Sequence, residues 1–193
     1  MTAAKSGSER KRSTADVQRL RIISRAVSVF SHAGYHATPV SEVADAAGVS
    51  PAYVFRLFPG KVALFVAAVE HCYGRVRTAM VEGGESAGLQ AGPQQVLEAM
   101  TAAYIELIRD RDLIMFQAQA QSACGVPEIR DAVRKGLAQV VTAVTELSHA
   151  DPADVQRFLA YGQLCHLMLQ LDLMDVDEGW ADTVRHGIRH ATP

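Results

Sequence analysis

Apolar residues return every three or four positions along most of this chain, and the places where the rhythm stops divide it into helices. Leu20, Ile23, Val27 and Phe30 form the first inward stripe, predicting a helix that opens near Asp16 and ends between Ser31 and Gly34. Gly34 is its expected stop, with Tyr35 folding back onto the helix end. Thr38 and Pro39 predict the cap and first position of a second helix through Val40, Val43, Ala44 and Ala47. Gly48 ends that helix, because a residue free to take positive φ lets the chain turn sharply. Ser50 and Pro51 repeat the cap-plus-proline start, and the third helix is expected at 51–57. In it Val54, Phe58 and part of Leu57 face inward, while Pro51, Ala52, Tyr53 and Arg56 face out. Pro59-Gly60 breaks the run, so Lys61 opens a longer helix to about Val81, with Leu64, Phe65, Ala68, Val69, Cys72 and Val76 as its apolar side.

Beyond it the segment Glu82–Pro93, with four glycines and a proline, reads as a linker. Helices are then expected at 94–109, 112–124, 127–148, 152–174 and 178–190, separated by breaks short enough that consecutive helices pack as neighbours. Alternating apolar and polar positions, the mark of strands, are hard to find. The expected fold is all-α: a three-helix helix-turn-helix head over 16–66 and a helical-bundle body over 67–193, preceded by a disordered basic tail at 1–15 that includes Arg10, Lys11 and Arg12.

The stretch from Phe158 to Leu171 is apolar around much of its circumference, unlike a helix with a single buried stripe. It is expected to be covered on two sides, by its own core and by a second subunit, with Phe158, Tyr161, Cys165 and Met168 as dimer contacts. The alternative is the central helix of a single bundle. Gln117 and Gln121 share one helix face, as do Gln163, His166 and Gln170 on a later one. Polar groups set among apolar neighbours can orient a mainly hydrophobic ligand. Gln117, Gln121, His166 and Gln170, with Met100, Tyr104 and Met115 as walls, are therefore candidates for a small-molecule site, although each also suits core packing or solvent.

Charge sharpens the division of labour. Residues 1–77 hold 11 Lys or Arg against 5 Asp or Glu, net +6, whereas the remainder is net −8, and the total of −2 hides the split. A cationic end with an exposed short helix suits a DNA-facing head. Cys72, Cys124 and Cys165 are too few and too scattered for a disulfide framework or a zinc site. No apolar run reaches the roughly 20 residues that span a bilayer, and the first 20 residues are polar, so a cytoplasmic protein without membrane contact is expected. Catalytic and metal motifs are missing: no phosphate loop, nucleophile elbow, HExxH or CxxC. His186 and His190 could share one helix face, Asp172, Asp175, Asp177 and Glu178 suggest an acidic turn, and Cys72 beside His71 points elsewhere. None of these makes a metal centre or a nucleophile pair.

In Ile23, Ala26, Phe30, Gly34-Tyr35, Thr38, Val43-Ala44, Ala47-Gly48-Val49-Ser50, Phe55, Phe58, Lys61 and Leu64-Phe65 the chain resembles the tetracycline-repressor family of bacterial transcriptional regulators. The match covers about residues 19–66, nearly the whole head; the rest is alike only in length and helicity. The resemblance implies a ligand-responsive repressor that binds a pseudo-palindromic operator in double-stranded DNA as a homodimer held by its last two long helices. A small, largely apolar effector of unknown identity in the body would release it, and no cofactor is implied. It implies DNA contacts from Thr38, Ser50, Pro51, Ala52, Tyr53, Phe55, Arg56 and Lys61, with helix 51–57 in the major groove and Lys61 on a phosphate. Phe55 departs from the pattern, since a tyrosine hydroxyl commonly meets phosphate there; Phe55 has only carbon to offer. Tyr53 stands where a smaller residue is usual. Two other classes remain open: a DNA-binding regulator controlled by a protein partner, which calls for a body without a cavity, and a helical small-molecule-binding protein with no regulatory DNA binding.

Overall fold

Backbone caps divide the first 60 residues into helices. The computed structural model describes residues 3–187, with side chains from Ala15 onward. Helix α1 spans Ala3–Ala37 and is broken at Gly34, whose φ of 72° is the left-handed stop expected there. Its backbone is helical back to Ala3, through residues whose composition suggests disorder but includes the strong helix formers Ala, Glu, Lys and Arg. The side chains of Arg10, Lys11 and Arg12 lie outside the described residues. Helix α2 (Val40–Ala47) ends at Gly48 (φ 63°) in a Schellman arrangement: Val49 N–H reaches the Ala44 carbonyl and Gly48 N–H the Asp45 carbonyl, both at 3.0 Å. Helix α3 (Pro51–Leu57) follows α2 after three residues, with the Ser50 hydroxyl accepting the Tyr53 N–H at 3.2 Å.

Two details of the head differ from expectation. Leu20 is 56% exposed, and the inward stripe of α1 is instead Ile22, Ile23, Ala26, Val27 and Phe30, because the helix is rotated to bring Ile22 and Ala26 against its neighbours. Thr38 caps nothing. Pro39 itself occupies the cap position of α2, and Thr38 is fully buried with its hydroxyl oxygen unpaired.

Helix α4 (Lys61–Ser86) leaves α3 at 69° and is longer than expected. Its last turn absorbs Glu82–Ser86, the first part of the expected linker. Gly83 and Gly84 sit within the helix because α5 (Pro93–Leu107) crosses there: a Cβ on Gly83 would lie 2.9 Å from Met100 Cα, and one on Gly84 2.7 Å from Met100 Cε. These glycines permit close packing and do not mark a loop. Helices α6 (Arg111–Ser122), α7 (Pro127–Ser148) and α8 (Pro152–Gln170) complete the body, followed by a 3-10 turn at Leu173–Asp175 and α9 (Gly179–Arg185). Helices α3, α5, α7 and α8 all begin with proline at the first turn, where its missing N–H costs nothing. The helix expected at 152–174 stops at Gln170, since Asp172 takes a left-handed conformation (φ 50°). The helix expected at 178–190 is seven residues long among the described residues, Gly179–Arg185.

The core is continuous across residue 66. Phe65 of α4 lies edge-on to Phe30 of α1 at 4.8 Å and to Tyr35 at 5.2 Å, and meets Phe116 of α6 at 5.1 Å, so one aromatic joint fastens head to body. Around it Asp112, at the start of α6, accepts from the Ser28 hydroxyl at 2.5 Å and the Ser31 hydroxyl at 3.1 Å. The Gln119 side chain lies over Gly34, where a Cβ would collide with its Oε1.

Candidate nucleic-acid interface and body cavity

The support for α3 is local. Val54 and Phe58 are each 1% exposed and anchor it on α1 and α2, Leu57 is half-buried, and Pro51, Ala52, Phe55 and Arg56 remain in solvent. Phe55, at 50% exposed, is a large apolar side chain without a core role. Tyr53 is half-buried, and the Arg56 guanidinium stacks on its ring at 4.5 Å, so the two form one preorganised unit. Arg21 donates to the Ala47 carbonyl and ties α1 to the end of α2, while Arg19 covers Phe58 at 4.6 Å.

Lys61 stands at the first position of α4. Its ammonium donates to the His36 carbonyl at 3.2 Å and lies 4.9 Å from the centre of the Tyr35 ring; partial burial lowers its pKa from the ordinary lysine value. Of the eight residues expected at the DNA surface, the fold gathers Ser50, Pro51, Ala52, Tyr53, Phe55, Arg56 and Lys61 around α3. Thr38 it places beneath that surface, where a phosphate could not reach its hydroxyl.

The second feature is a cavity of about 830 Å³ among α4, α5, α6, α7 and α8. Its walls are largely apolar and include Val76, Met80, Ile105, Val140, Phe158 and Leu159. Within it Tyr104 and His166 are joined by a hydrogen bond of 2.5 Å between the phenolic oxygen and Nε2, and Gln121 donates to Gln163 at 3.4 Å. Burial pushes the His166 pKa down to about 4, so its imidazole is neutral near neutral pH. Burial raises the Tyr104 phenol, an effect that the neighbouring Gln117 amide opposes. Tyr73, also in the wall, is pushed up to about 12 by burial.

Of the seven residues expected at a ligand, Tyr104, Gln117, Gln121 and His166 line this cavity. Met100 is fully buried under the glycines of α4; Met115 and Gln170 are half-buried on other faces of their helices. The four positions expected at a dimer contact separate in the same way. Tyr161 is 54% exposed, but Met168 is fully buried, and Phe158 and Cys165 turn into the cavity wall. The outward side of α8 is a different stripe, Tyr161, Leu164, Leu167 and Leu171, continued by Met174. Because α8 is apolar nearly all round, composition gave no phase with which to choose between its two stripes. Met80 and Phe158 in the cavity wall were equally silent, since an apolar cavity wall and a filled core use the same side chains.

Among the described residues no group of three or more His, Cys, Asp or Glu side chains could hold a metal ion, and no single helix is long and apolar enough to cross a membrane. His190 lies outside the described residues. Cys72 is buried, its thiol pushed up to about 12, too weak an acid for a nucleophile.

A capped, outward-facing α3 held on α1 and α2, carried by an all-α body, is the arrangement of a helix-turn-helix head. Residues 22–68, the head and the start of α4, match the family described as bacterial regulatory proteins, tetR family. Solved structures share the fold over most of the chain. FadR from Bacillus subtilis, a transcriptional regulator in complex with stearoyl-CoA, is similar with a TM-score of 0.67 and 19% identity, over 86% of this chain and 94% of its own. A TetR family transcription regulator from Marinobacter aquaeolei VT8 gives 0.65 and 19%, over 90% and 92%. The fatty acid degradation regulator FadR from Bacillus halodurans gives 0.65 and 19%, over 90% and 97%. No curated protein sequence matches the chain.

Proposed function

We propose that the protein is a homodimeric repressor that binds a pseudo-palindromic operator through α3 and is released when a small, largely apolar effector fills the body cavity. The head spans 16–66 and the ligand-binding and dimerisation body 67–193. The observation that carries the reading is that one helix, α6, touches both sites: Gln117 and Gln121 line the cavity, while Asp112 and Gln119 bear on α1. Ligand that reshapes the cavity shifts α6, and α6 shifts the head through Ser28, Ser31 and Gly34. Helix α4, which carries Lys61 at one end and Met80 at the other, supplies a parallel route. Release requires that the effector prefer the arrangement in which two heads no longer fit one operator.

On DNA, Arg56 held by Tyr53 reads a base edge, Ala52 and Phe55 offer carbon to thymine methyls or sugars, and Ser50 and Lys61 meet phosphates. The exposed stripe of α8 is the dimer face, with Leu167 at its centre and Tyr161 at the end that borders the cavity. A cavity of this size lies within the range of about 300–1,000 Å³ typical of ligand sites, which favours a metabolite over a protein partner as the controlling signal. The known stearoyl-CoA complex of the Bacillus subtilis regulator supports a long aliphatic ligand in this architecture.

The test is selection of bound fragments from random DNA with the full chain, alongside sedimentation. An inverted repeat with half-sites about one helical turn apart and a sedimenting dimer are expected. Enrichment of no sequence, or a monomer at operator-binding concentrations, would refute the reading.

A further inference from the structure

The polar patch in the cavity is unbalanced in a way that names a ligand chemistry. Neutral imidazole has one donor and one acceptor nitrogen. A phenol is a much stronger acid than an imidazole N–H, so in the 2.5 Å contact the Tyr104 hydroxyl donates and His166 Nε2 accepts. The His166 proton then sits on Nδ1, which is buried and has no partner. Gln117 of α6 is likewise 4% exposed; its amide lies close enough to the Tyr104 phenol to oppose the rise of its pKa, yet the amide nitrogen has no partner in hydrogen-bonding geometry. Two uncharged N–H donors therefore border an apolar cavity with nothing to accept from them. Each such orphan has lost its water and destabilises the folded chain unless something supplies an acceptor.

The surroundings restrict that acceptor. Among the described residues lining the cavity, Glu98 is the one carboxylate and no lysine or arginine is present; Glu98 itself is exposed. A carboxylate pushed to the Tyr104–His166–Gln117 end would lose its hydration and gain only neutral donors, whereas an ester, ketone or lactone oxygen loses little and satisfies the same groups. We propose that the effector is an uncharged, mainly aliphatic molecule whose carbonyl-type oxygen accepts from the free donors of Gln117 and His166. The site selects such molecules over ligands whose buried end is a carboxylate. This rests on the ligand-controlled repressor reading and adds the polarity of the ligand to it.

The experiment compares methyl dodecanoate, dodecanoate, dodecanoyl-CoA and dodecane at neutral pH, by calorimetric titration of the full chain and by release from its selected operator. Methyl dodecanoate is expected to bind at least tenfold more tightly than dodecanoate and to release DNA. The thioester carbonyl of dodecanoyl-CoA enters only if its charged portion stays outside, so its affinity falls between the two. In Gln117→Leu the ester should bind about tenfold more weakly while dodecane is unchanged, since only the donor is lost. The wild-type ranking needs no variant, so a misfolded Gln117→Leu chain leaves the test intact. Dodecanoate binding as tightly as the ester would overturn the proposal and leave a ligand-controlled repressor standing. Failure of all four to bind, with operator affinity intact, would overturn both.

Discussion

Helices α3 and α8 solve opposite problems. The shorter, α3, must keep its working side chains outside, and every local feature agrees on how: the Gly48 turn, the Ser50 cap, Pro51 at the first position, and two anchors, Val54 and Phe58. Helix α8 must line a cavity with one side and, on our reading, meet a second subunit with the other, and both sides are apolar. A convex, exposed surface is thus specified by a handful of neighbouring residues. A concave site exists only after five helices have been placed around it.

The sharpest way to break that contrast is at the joint between the two regions. Phe65→Ala should destabilise the whole chain by about 3–5 kcal/mol, because Phe30, Tyr35 and Phe116 all lose their contact with it. Denaturant unfolding should show head and body weakening together. Two separate transitions, with only one shifted, would mean that the core is not shared.

Protonation tests the concave side. His166 has an ordinary pKa of 6.5 and is held near 4 when folded, so between those values the unfolded chain takes up a proton that the folded chain refuses. Its contribution is therefore fully present above about pH 6.5 and is lost as the pH falls toward 4, by about 3 kcal/mol across the window. His71, lowered by burial and by Arg75, acts in the same direction, so the His166 part is the difference between wild type and His166→Gln. Parallel stability curves for the two would show that the imidazole is solvated.

A smaller effect is expected where α7 crosses α4. In Gly136→Ala the new Cβ would lie 2.5 Å from Tyr73 Cγ, and relieving that overlap should cost about 1–3 kcal/mol and reshape the cavity wall that Tyr73 helps to form. Ligand affinity should fall with stability while operator sequence preference stays as it was. A changed preference would mean that the convex site is not locally specified.

The subtlest test separates two cations of the head. Arg56→Ala should cost about 1–3 kcal/mol at one operator base pair and relax the preference there. Lys61→Ala should weaken all sequences alike and reduce the salt slope by about 1. A uniform loss from the arginine change would assign Arg56 to the backbone.

The head was largely legible because its signals are short-range. A glycine at φ 63° and a hydroxyl accepting the N–H three residues on act within a single turn, and neither depends on the rest of the molecule. Legibility fails where a residue's meaning is set by a distant neighbour. Gly83 and Gly84 have the composition of a linker, yet α5 crosses so closely over them that a Cβ on Gly83 would meet the backbone of Met100. Thr38 has the look of a cap but is sealed beneath the head. In the body, four polar residues chosen by shared helix faces do line the cavity, whereas Met100, Met115 and Gln170 do not, since apolar surroundings cannot reveal which wall encloses space.

By itself the sequence determined an all-α chain, the positions of most helix starts, the short exposed helix at 51–57 and the concentration of positive charge toward the N-terminal part, because caps, prolines and spacing act locally. Only the tertiary structure decided which stripe of α8 faces inward, that α4 runs on through its glycines, that Phe65 joins two cores into one, and that Gln117 and His166 each keep a buried, unpaired nitrogen near Tyr104. Those facts depend on which surfaces come within a few ångströms of each other, and that distance is a property of the packed chain.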